Sequence, residues 1–409
     1  MTPLEDATDA ILVADNLSFT YPGGQTALNG VSFSIRRNAK IALVGANGAG
    51  KSTLLLMFNG MLRPVSGEIR YHGEKLTYTR TNLREIRRRI GFVFQDPDRQ
   101  IIAPTVWQDV AFGPVNLDMP SDQVNQVVLT ALHQVGLEGF ERRPPHLLSG
   151  GEKKRVAIAG ILAMDPEVLI LDEPTSTLDP AGSEDIMDLL EELHHQGKTI
   201  IISTHDVELA YSWADTIILM ERGEIIASGT PEQAFADKEL VRRARLRNPV
   251  IVELYTELIR RGMHDNLQMP RSVLDMIRII ECDRHGGMQL NIHGCGKIHV
   301  LDIAHTNQAT LESILEKYQI RTLGAMGSRA KICARQWGII PDYTYAVIDK
   351  CILHAMNGRA SLILTSGGMV VRALERIREF NKENNRSIEV ITEIKSHMAE
   401  TIPGNQAGD

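Results

Sequence analysis

The stretch "KIALVGANGAGKST", residues 40–53, joins an apolar run to a glycine-rich segment and the start of a helix. "KIALV" is typical of a strand that is covered on both faces, as in a parallel sheet. "GANGAGKST" matches G-x-x-x-x-G-K-[ST], a pattern in which backbone amides and a helix N-terminus surround phosphate groups. The stretch therefore predicts an α/β fold with a nucleotide-phosphate site at the edge of its sheet.

The residue types in this loop suggest a role for each position. The glycines let backbone amides approach closely, and Lys51 is expected to reach the β- and γ-phosphates. The Ser52 hydroxyl is expected to bind Mg²⁺, a hard ion that prefers oxygen ligands. The predicted nucleotide-binding residues of the loop are Gly45, Asn47, Gly48, Ala49, Gly50, Lys51, Ser52 and Thr53.

Two adjacent acids follow a second apolar run, "VLILDEP" (residues 168–174). Asp172 is placed to hold the Mg²⁺ shell, and Glu173 to orient and deprotonate the attacking water. The alternative is a solvated turn. It is disfavoured because both acids follow a buried run at the edge where α/β sheets bind ligands.

The chain predicts two α/β domains. Apolar runs at 167–173, 198–204 and 215–221 extend the parallel sheet, while alternating patterns at 11–21 and 29–35 indicate an antiparallel layer. Residues from about 96 to 145 form a helical insertion. We predict a nucleotide-binding domain over 10–245, a linker helix over 246–271, a smaller C-terminal α/β domain over 272–400 and a disordered tail over 401–409.

Composition excludes several classes of protein. With 409 residues, 43% hydrophobic and 23% charged, the chain is typical of a globular protein, and its formal charge of −7 argues against a nucleic-acid partner. The acidic N-terminus does not resemble a signal peptide, and no apolar run approaches the ~20 residues of a membrane span. These features predict a cytosolic protein, or one held at a membrane only by partner proteins. The four cysteines are too few and too widely spaced for a disulfide framework.

The first part of the chain, about residues 10–240, resembles the ATP-binding cassette ATPases. The resemblance rests on four motifs in a fixed order: the phosphate loop, "LLSGGEKKRVAIAG" (147–160), "LILDEPTSTLDP" (169–180) and "STHD" (203–206). The resemblance implies ATP and Mg²⁺ as ligands. It implies that Tyr21 stacks on adenine and that Gln95 contacts Mg²⁺ and water. Asp179 would lie at a dimer contact, and His205 would touch the γ-phosphate.

The same resemblance explains the two glycines at the start of a helix in "LSGGE". In this family the motif serves a nucleotide held by the other subunit of a dimer, so Ser149, Gly150 and Gly151 would contact the partner's γ-phosphate. A homodimer would have two competent sites, and a heterodimer with a related cassette is also compatible. Glutamine is commoner in the family at position 152, so the role of Glu152 stays open.

"VFQDPDRQIIAPTVWQDVAFGPVNL" (93–117) is similar to the ATPases of energy-coupling-factor importers, especially the cobalt and nickel branch. That resemblance implies a peripheral protein at the cytoplasmic face of the membrane, coupled to an integral membrane subunit and driving uptake of a transition-metal cation. Three alternatives are an importer of another micronutrient such as a vitamin, a soluble ATPase not coupled to transport, and a C-terminal ligand-binding module that uses the cassette as its switch.

The C-terminal domain carries no motif that resembles a known family. Cysteine and histidine side chains in "CDRHGGMQLNIHGCGKIHV" (282–300) could bind a transition metal, but their spacing favours a structural role. "LGAMGSRAKICARQ" and "LTSGGMVVRALERI" place glycines between a strand and a helix. Such turns either bind an anion or serve chain geometry alone, and the second is commoner. A regulatory or oligomerisation role is the default expectation.

Overall fold

A computed structural model describes residues 10–263, 268–284, 296–384 and 387–392. Its contacts divide the chain into two compact units, Met1–Gln289 and Leu290–Asp409. The strands of the first unit are β1 (Ala10–Thr20), β2 (Thr26–Arg36), β3 (Lys40–Val44), β4 (Ser66–Tyr71), β5 (Glu74–Lys75), β6 (Ile90–Val93), β7 (Val168–Asp172), β8 (Thr199–Thr204), β9 (Thr216–Glu221) and β10 (Glu224–Gly229). Its helices are α1 (Lys51–Phe58), α2 (Arg80–Arg89), α3 (Val106–Asn116), α4 (Ser121–Gln134), α5 (Gly150–Leu162), α6 (Pro180–His195), α7 (Val207–Trp213), α8 (Pro231–Ala236), α9 (Lys238–Arg243), α10 (Val250–Arg260) and α11 (Val273–Arg284).

The central sheet of the first unit has the strand order β10-β9-β3-β8-β7-β6 within the described residues. All neighbours are parallel except β9 and β10. The apolar runs predicted as buried strands therefore pair side by side. Their register sets Val44 opposite Thr204 and Asp172 opposite Ser203. The carboxyl ends of β3, β8 and β7 consequently lie together at one edge.

Each face of this sheet is covered by a different layer. Ala42 and Val44 of β3 join a core with helices α3 to α6, whereas Ile41 and Leu43 join a core with α1 and the antiparallel strands. Those strands form a second sheet in the order β2-β1-β4-β5. Successive side chains of this apolar strand point to opposite faces of the sheet, so one strand contributes to two cores. The predicted α/β fold with an antiparallel layer and a helical insertion is confirmed.

The predicted linker packs within the first unit. The hydroxyl of Tyr211, which is almost fully buried, donates to the carbonyl oxygen of Pro270 at 3.0 Å. Tyr255 of α10 shares an apolar cluster with Met276 and Ile279 of α11. The division between the units therefore falls after α11, further along the chain than the boundary at residue 272 that the sequence suggests.

The second unit is a smaller α/β fold. Its strands are β11 (Lys297–Asp302), β12 (Leu323–Ala325), β13 (Ser361–Thr365) and β14 (Glu389–Thr392), and its helices are α12 (Gln308–Lys317), α13 (Ser328–Gln336), α14 (Val347–Met356) and α15 (Gly368–Asn384). Within the described residues the strands form a parallel sheet in the order β12-β13-β11-β14. Both glycine-rich turns named above leave this sheet from the neighbouring strands β12 and β13.

The described residues bear on two further sequence expectations. The side chain of Cys282, the residues His285, His293 and Cys295, and the tail 401–409 lie outside them, while His299 is buried in β11. Within the described part, His, Cys, Asp and Glu side chains form no group suited to hold a metal ion. No helix in that part is long and apolar enough to cross a membrane.

Candidate nucleotide-binding site

A cavity of about 390 Å³ opens at the edge where β3, β8 and β7 end. Most of the residues predicted to bind a nucleotide lie around it, although they come from distant parts of the chain. They are Tyr21, Asn47, Gly48, Ala49, Gly50, Lys51, Ser52, Thr53, Gln95, Glu173 and His205. The cavity is therefore the candidate site.

The loop between β3 and α1 needs a glycine at its end. Gly50 has φ +103° and precedes α1, and a Cβ there would lie 2.6 Å from the carbonyl oxygen of Ala27. An L side chain would thus meet both an unfavourable backbone conformation and a clash with main chain. With no side chain at this helix-capping position, the first-turn amides stay accessible to an anion.

Lys51 is buried beneath this loop. Its Nζ donates to the carbonyl oxygen of Gly45 at 2.7 Å and to that of Ala46 at 3.3 Å, and lies 3.8 Å from Glu173 Oε1. Burial lowers the pKa of Lys51, while the charges of Glu173 and Asp172 act in the opposite direction. A phosphate entering the cavity would give this desolvated ammonium a stronger counter-charge.

The adjacent acids at the end of β7 point to different partners. Glu173 has φ +45°, a left-handed conformation that is uncommon for a residue with a side chain and often found at functional sites. Its Oε2 lies 2.9 Å from Nδ1 of His205, whose side chain is largely exposed at the end of β8. Glu173 therefore stands between the Lys51 ammonium and the His205 imidazole.

Ser203 of β8 organises both acids, and sequence patterns alone do not reveal it. Its hydroxyl donates to Asp172 Oδ1 and accepts from the backbone N–H of Glu173 at 3.0 Å. Ser203 is fully buried, so these bonds are shielded from water. One hydroxyl thereby fixes the carboxylate of Asp172 and the backbone of Glu173.

Tyr21 and Gln95 complete the cavity from outside the parallel sheet. The Tyr21 hydroxyl lies 3.0 Å from Thr53 Oγ1, and its ring packs edge-on against Phe19. Gln95 follows β6, and its carbonyl oxygen accepts a hydrogen bond from Nζ of Lys154 at 2.6 Å. Lys154 lies on α5, is 1% exposed, and has a pKa lowered to about 8 by burial.

Six predicted site residues do not line the cavity. Gly45 follows β3 and Asp172 ends β7. The other four are Ser149, Gly150, Gly151 and Asp179. Asp179 caps α6, since its Oδ1 accepts from Gly182 N at 2.7 Å. Ser149 caps α5, and a Cβ on Gly151 would meet open space. These last four positions belong to the N-termini of α5 and α6 rather than to the cavity formed by this chain.

The structure gives Glu152 a local role. Glu152 Oε2 accepts from Ser149 N at 2.7 Å, and Ser149 Oγ accepts from Glu152 N at 3.3 Å. This reciprocal pair is a capping box, and its carboxylate is favoured at a helix N-terminus. The spacing S-x-x-E at 149–152 is the sequence signal that could have indicated it.

Comparisons with known proteins agree with this architecture. The family model for the ABC transporter matches residues 28–176. An energy-coupling factor transporter ATP-binding protein, EcfA2 from Methanospirillum hungatei, is 64% identical over 400 residues, which cover 98% of this chain and all of the relative. The structure of cbiO1 from Clostridium perfringens, part of the ABC transporter complex cbiONQ, is 43% identical with a TM-score of 0.53, covering 62% of this chain and 99% of that one.

A second solved structure is the dimeric ATP-binding cassette MJ0796 in a post-hydrolysis state, bound to ADP and Pi. It is 31% identical with a TM-score of 0.50, covering 54% of this chain and 98% of that one. The fold and the comparisons together define an ABC ATPase. Within that class, the chain belongs to the energy-coupling factor transporter ATP-binding proteins.

We predict that Ser203→Ala lowers ATPase activity about tenfold if Asp172 holds Mg²⁺ as the sequence suggests, because removing a group that orients a metal ligand usually costs 10–100-fold. Asp172 would lose its donor, and the half-saturating Mg²⁺ concentration should rise as well. Steady-state ATPase assays with a Mg²⁺ titration measure both. Ser212→Ala removes an exposed hydroxyl of α7 and is the control, expected to leave both values unchanged. Normal Mg²⁺ dependence in Ser203→Ala would contradict the role given to Ser203.

Proposed function

We propose that the cavity binds ATP with Mg²⁺ and that this chain's residues hydrolyse the γ-phosphate. The observation that carries the proposal is the convergence of Lys51, Glu173 and His205 at one edge of the sheet. Glu173 Oε1 lies 3.8 Å from Lys51 Nζ, and Glu173 Oε2 lies 2.9 Å from His205 Nδ1. A buried ammonium, a carboxylate and an imidazole at a glycine-rich loop fit a triphosphate and an attacking water.

The oxygen donors at the cavity suit Mg²⁺. Ser52 and Gln95 line the cavity, and Asp172 ends the strand beside it with one carboxylate oxygen held by Ser203. A hydroxyl, an amide oxygen and a carboxylate form the hard ligand set that Mg²⁺ prefers. When bound, the ion would neutralise phosphate charge. The chain's own contribution would be to hold these three groups in place.

Glu173 is the proposed general base. It would take the proton of the attacking water, while His205 would orient Glu173 and contact the γ-phosphate. Tyr21 would stack on the adenine ring from the cavity wall. Lys51 would leave its loop carbonyls for the β- and γ-phosphates, which offer it a full negative charge instead of two neutral oxygens.

The complete site is proposed to form between two cassettes. Ser149, Gly150 and Gly151 lie at the accessible N-terminus of α5 and outside the cavity of their own chain, so they are available to a nucleotide held by a partner. Asp179 would lie at the same dimer contact. The partner is proposed to be a second copy of this chain, and a related cassette could take its place.

A transport role is supported by a second cavity, about 580 Å³, on the helical insertion. It is lined by residues of α3, α4 and the segment that follows them, including Trp107, Gln108 and Leu129. Exposed apolar side chains at Ile102 and Phe112 lie in the same insertion. We assign this surface to a short helix of an integral membrane subunit, which would place the chain at the cytoplasmic face of the membrane.

The proposed substrate is a transition-metal cation, cobalt or nickel. Its support is the segment 93–117, which resembles the cobalt and nickel branch of the energy-coupling-factor importers. The ATPase does not itself contact the substrate in this scheme, and another micronutrient such as a vitamin is the second candidate.

Glu173→Gln is expected to lower the turnover number about 10²–10⁴-fold, the usual contribution of a general base, while ATP binding persists. In the presence of ATP the variant should then accumulate as a dimer. Size-exclusion chromatography with light scattering can detect that dimer. Glu224→Gln, at an exposed position of β10, is the matched charge control. Near-normal turnover in Glu173→Gln would refute the assignment of the base.

Ser149→Asp tests the shared site. Aspartate caps a helix as well as serine does, so α5 should remain intact, but its charge would face the partner's γ-phosphate. ATP-dependent dimerisation should weaken at least tenfold, with ATP affinity of the monomer unchanged. Ser149→Asn keeps the cap without the charge and is expected to dimerise nearly normally. Equal dimerisation of Ser149→Asp and wild type would exclude Ser149 from the interface.

Uptake by cells that contain this chain with its co-purifying membrane subunits tests the substrate. Accumulation of radioactive cobalt or nickel should exceed that of cells carrying Glu173→Gln by tenfold or more. Uptake of a labelled vitamin instead of either metal would support the alternative that the chain belongs to an importer of another micronutrient. Absence of any co-purifying membrane subunit would favour the soluble ATPase.

A further inference from the structure

The segment after β6, residues 94–100, is held by the helix that begins at the signature motif. Nζ of Lys154, on α5, donates to the carbonyl oxygens of Phe94 and Gln95 at 3.0 and 2.6 Å. Lys154 is 1% exposed, so the two bonds are shielded from water. Buried charge-assisted hydrogen bonds of this kind are stronger and more directional than neutral ones at a surface.

A second side chain joins the same segment to the same helix. Nε2 of Gln100 donates to the carbonyl oxygen of Ala157, and its Oε1 accepts from Phe94 N, both at 3.1 Å. Ala157 follows Lys154 by three residues, so both attachments use one side of α5. Besides the ion pair of Lys153 with the exposed Asp98, the segment is thus fixed to α5 at these two neighbouring points.

The ladder between β6 and β7 stops where these attachments begin. Its last pair is Val93 with Leu171, and the next backbone N–H, that of Phe94, bonds to the Gln100 side chain instead. The chain therefore changes partner between Val93 and Phe94, from the parallel sheet to α5.

We propose that Lys154 is a positioning residue, whose hydrogen bonds to the carbonyl oxygens of Phe94 and Gln95 hold Gln95 at the nucleotide cavity. The inference rests on the proposed function, in which Gln95 contacts Mg²⁺ and water. Ser149 and Lys154 lie on one helix. The helix that contacts the nucleotide of one site would then set the Gln95 position in the other site.

The test compares Lys154→Met with Lys154→Gln in the full chain. Methionine keeps the length and apolar stem but leaves two carbonyl oxygens without a donor, whereas glutamine restores one donor group. Lys154→Met should raise the half-saturating Mg²⁺ concentration for ATP hydrolysis about tenfold and lower the turnover number. The affinity for ATP measured in EDTA should be unchanged. Lys154→Gln should recover most of the loss.

Lys153→Met is the matched control. Its ammonium pairs with Asp98 of the same segment at 2.7 Å, but Asp98 is 66% exposed, and such surface pairs contribute little. This variant is expected to keep wild-type Mg²⁺ dependence. Equal behaviour of Lys153→Met and Lys154→Met would overturn the inference. So would a loss of EDTA-state ATP affinity or of thermal stability in Lys154→Met that glutamine fails to restore, because the lysine would then serve packing alone.

Gln95→Ala, assayed in parallel, separates the inference from the function on which it rests. If Gln95→Ala has wild-type Mg²⁺ dependence, the proposed contact of Gln95 with Mg²⁺ is wrong. If Gln95→Ala is impaired and Lys154→Met is not, only the positioning role is overturned. In the supporting outcome, the double variant is no worse than Gln95→Ala, because both changes remove the same placement.

Discussion

The parallel register of β3, β8 and β7 is the constraint on which the site depends. It sets Val44 beside Thr204 and Asp172 beside Ser203, so three chain segments leave the sheet at the same level. A shift of one residue would turn Ser203 to the other face of the sheet and remove its bonds to the acids. The apolar side chains on both faces resist such a shift, because two separate cores depend on the same alternation.

Two features of this site are energetically unfavourable in the chain alone, the burial of a charged lysine and the backbone conformation of Glu173. Lys51 is desolvated, and its nearest anion, Glu173, is 3.8 Å away and also contacts His205. Glu173 itself has a left-handed backbone conformation, which is unfavourable for a residue with a side chain. A highly charged anionic ligand would give the Lys51 ammonium the counter-charge that it lacks. Folding therefore holds the groups in positions whose electrostatic benefit is realised only when a phosphate is present.

Sequence patterns predicted those parts of the fold that depend on residues close together in the chain. The phosphate loop, the buried strands and the helical insertion were readable because loop chemistry and apolar runs are contiguous in sequence. Ser203 and Lys154 were not, since their partners lie about 30 and 60 residues away and depend on strand register and helix packing. The assignment of α11 to the first unit likewise depends on contacts of Met276 with distant residues. The capping role of Glu152 was missed, although S-x-x-E is a local signal for it.

Helix α5 connects these observations. Its N-terminus presents Ser149 and two glycines, capped by Glu152, while Lys154 at its second turn holds the segment that carries Gln95. Its apolar residues, such as Val156 and Ile158, pack in the core shared with α3 and α4. In the proposed dimer, a force applied to the helical insertion by a membrane subunit would therefore act on both nucleotides at once, through Ser149 on one and Gln95 on the other.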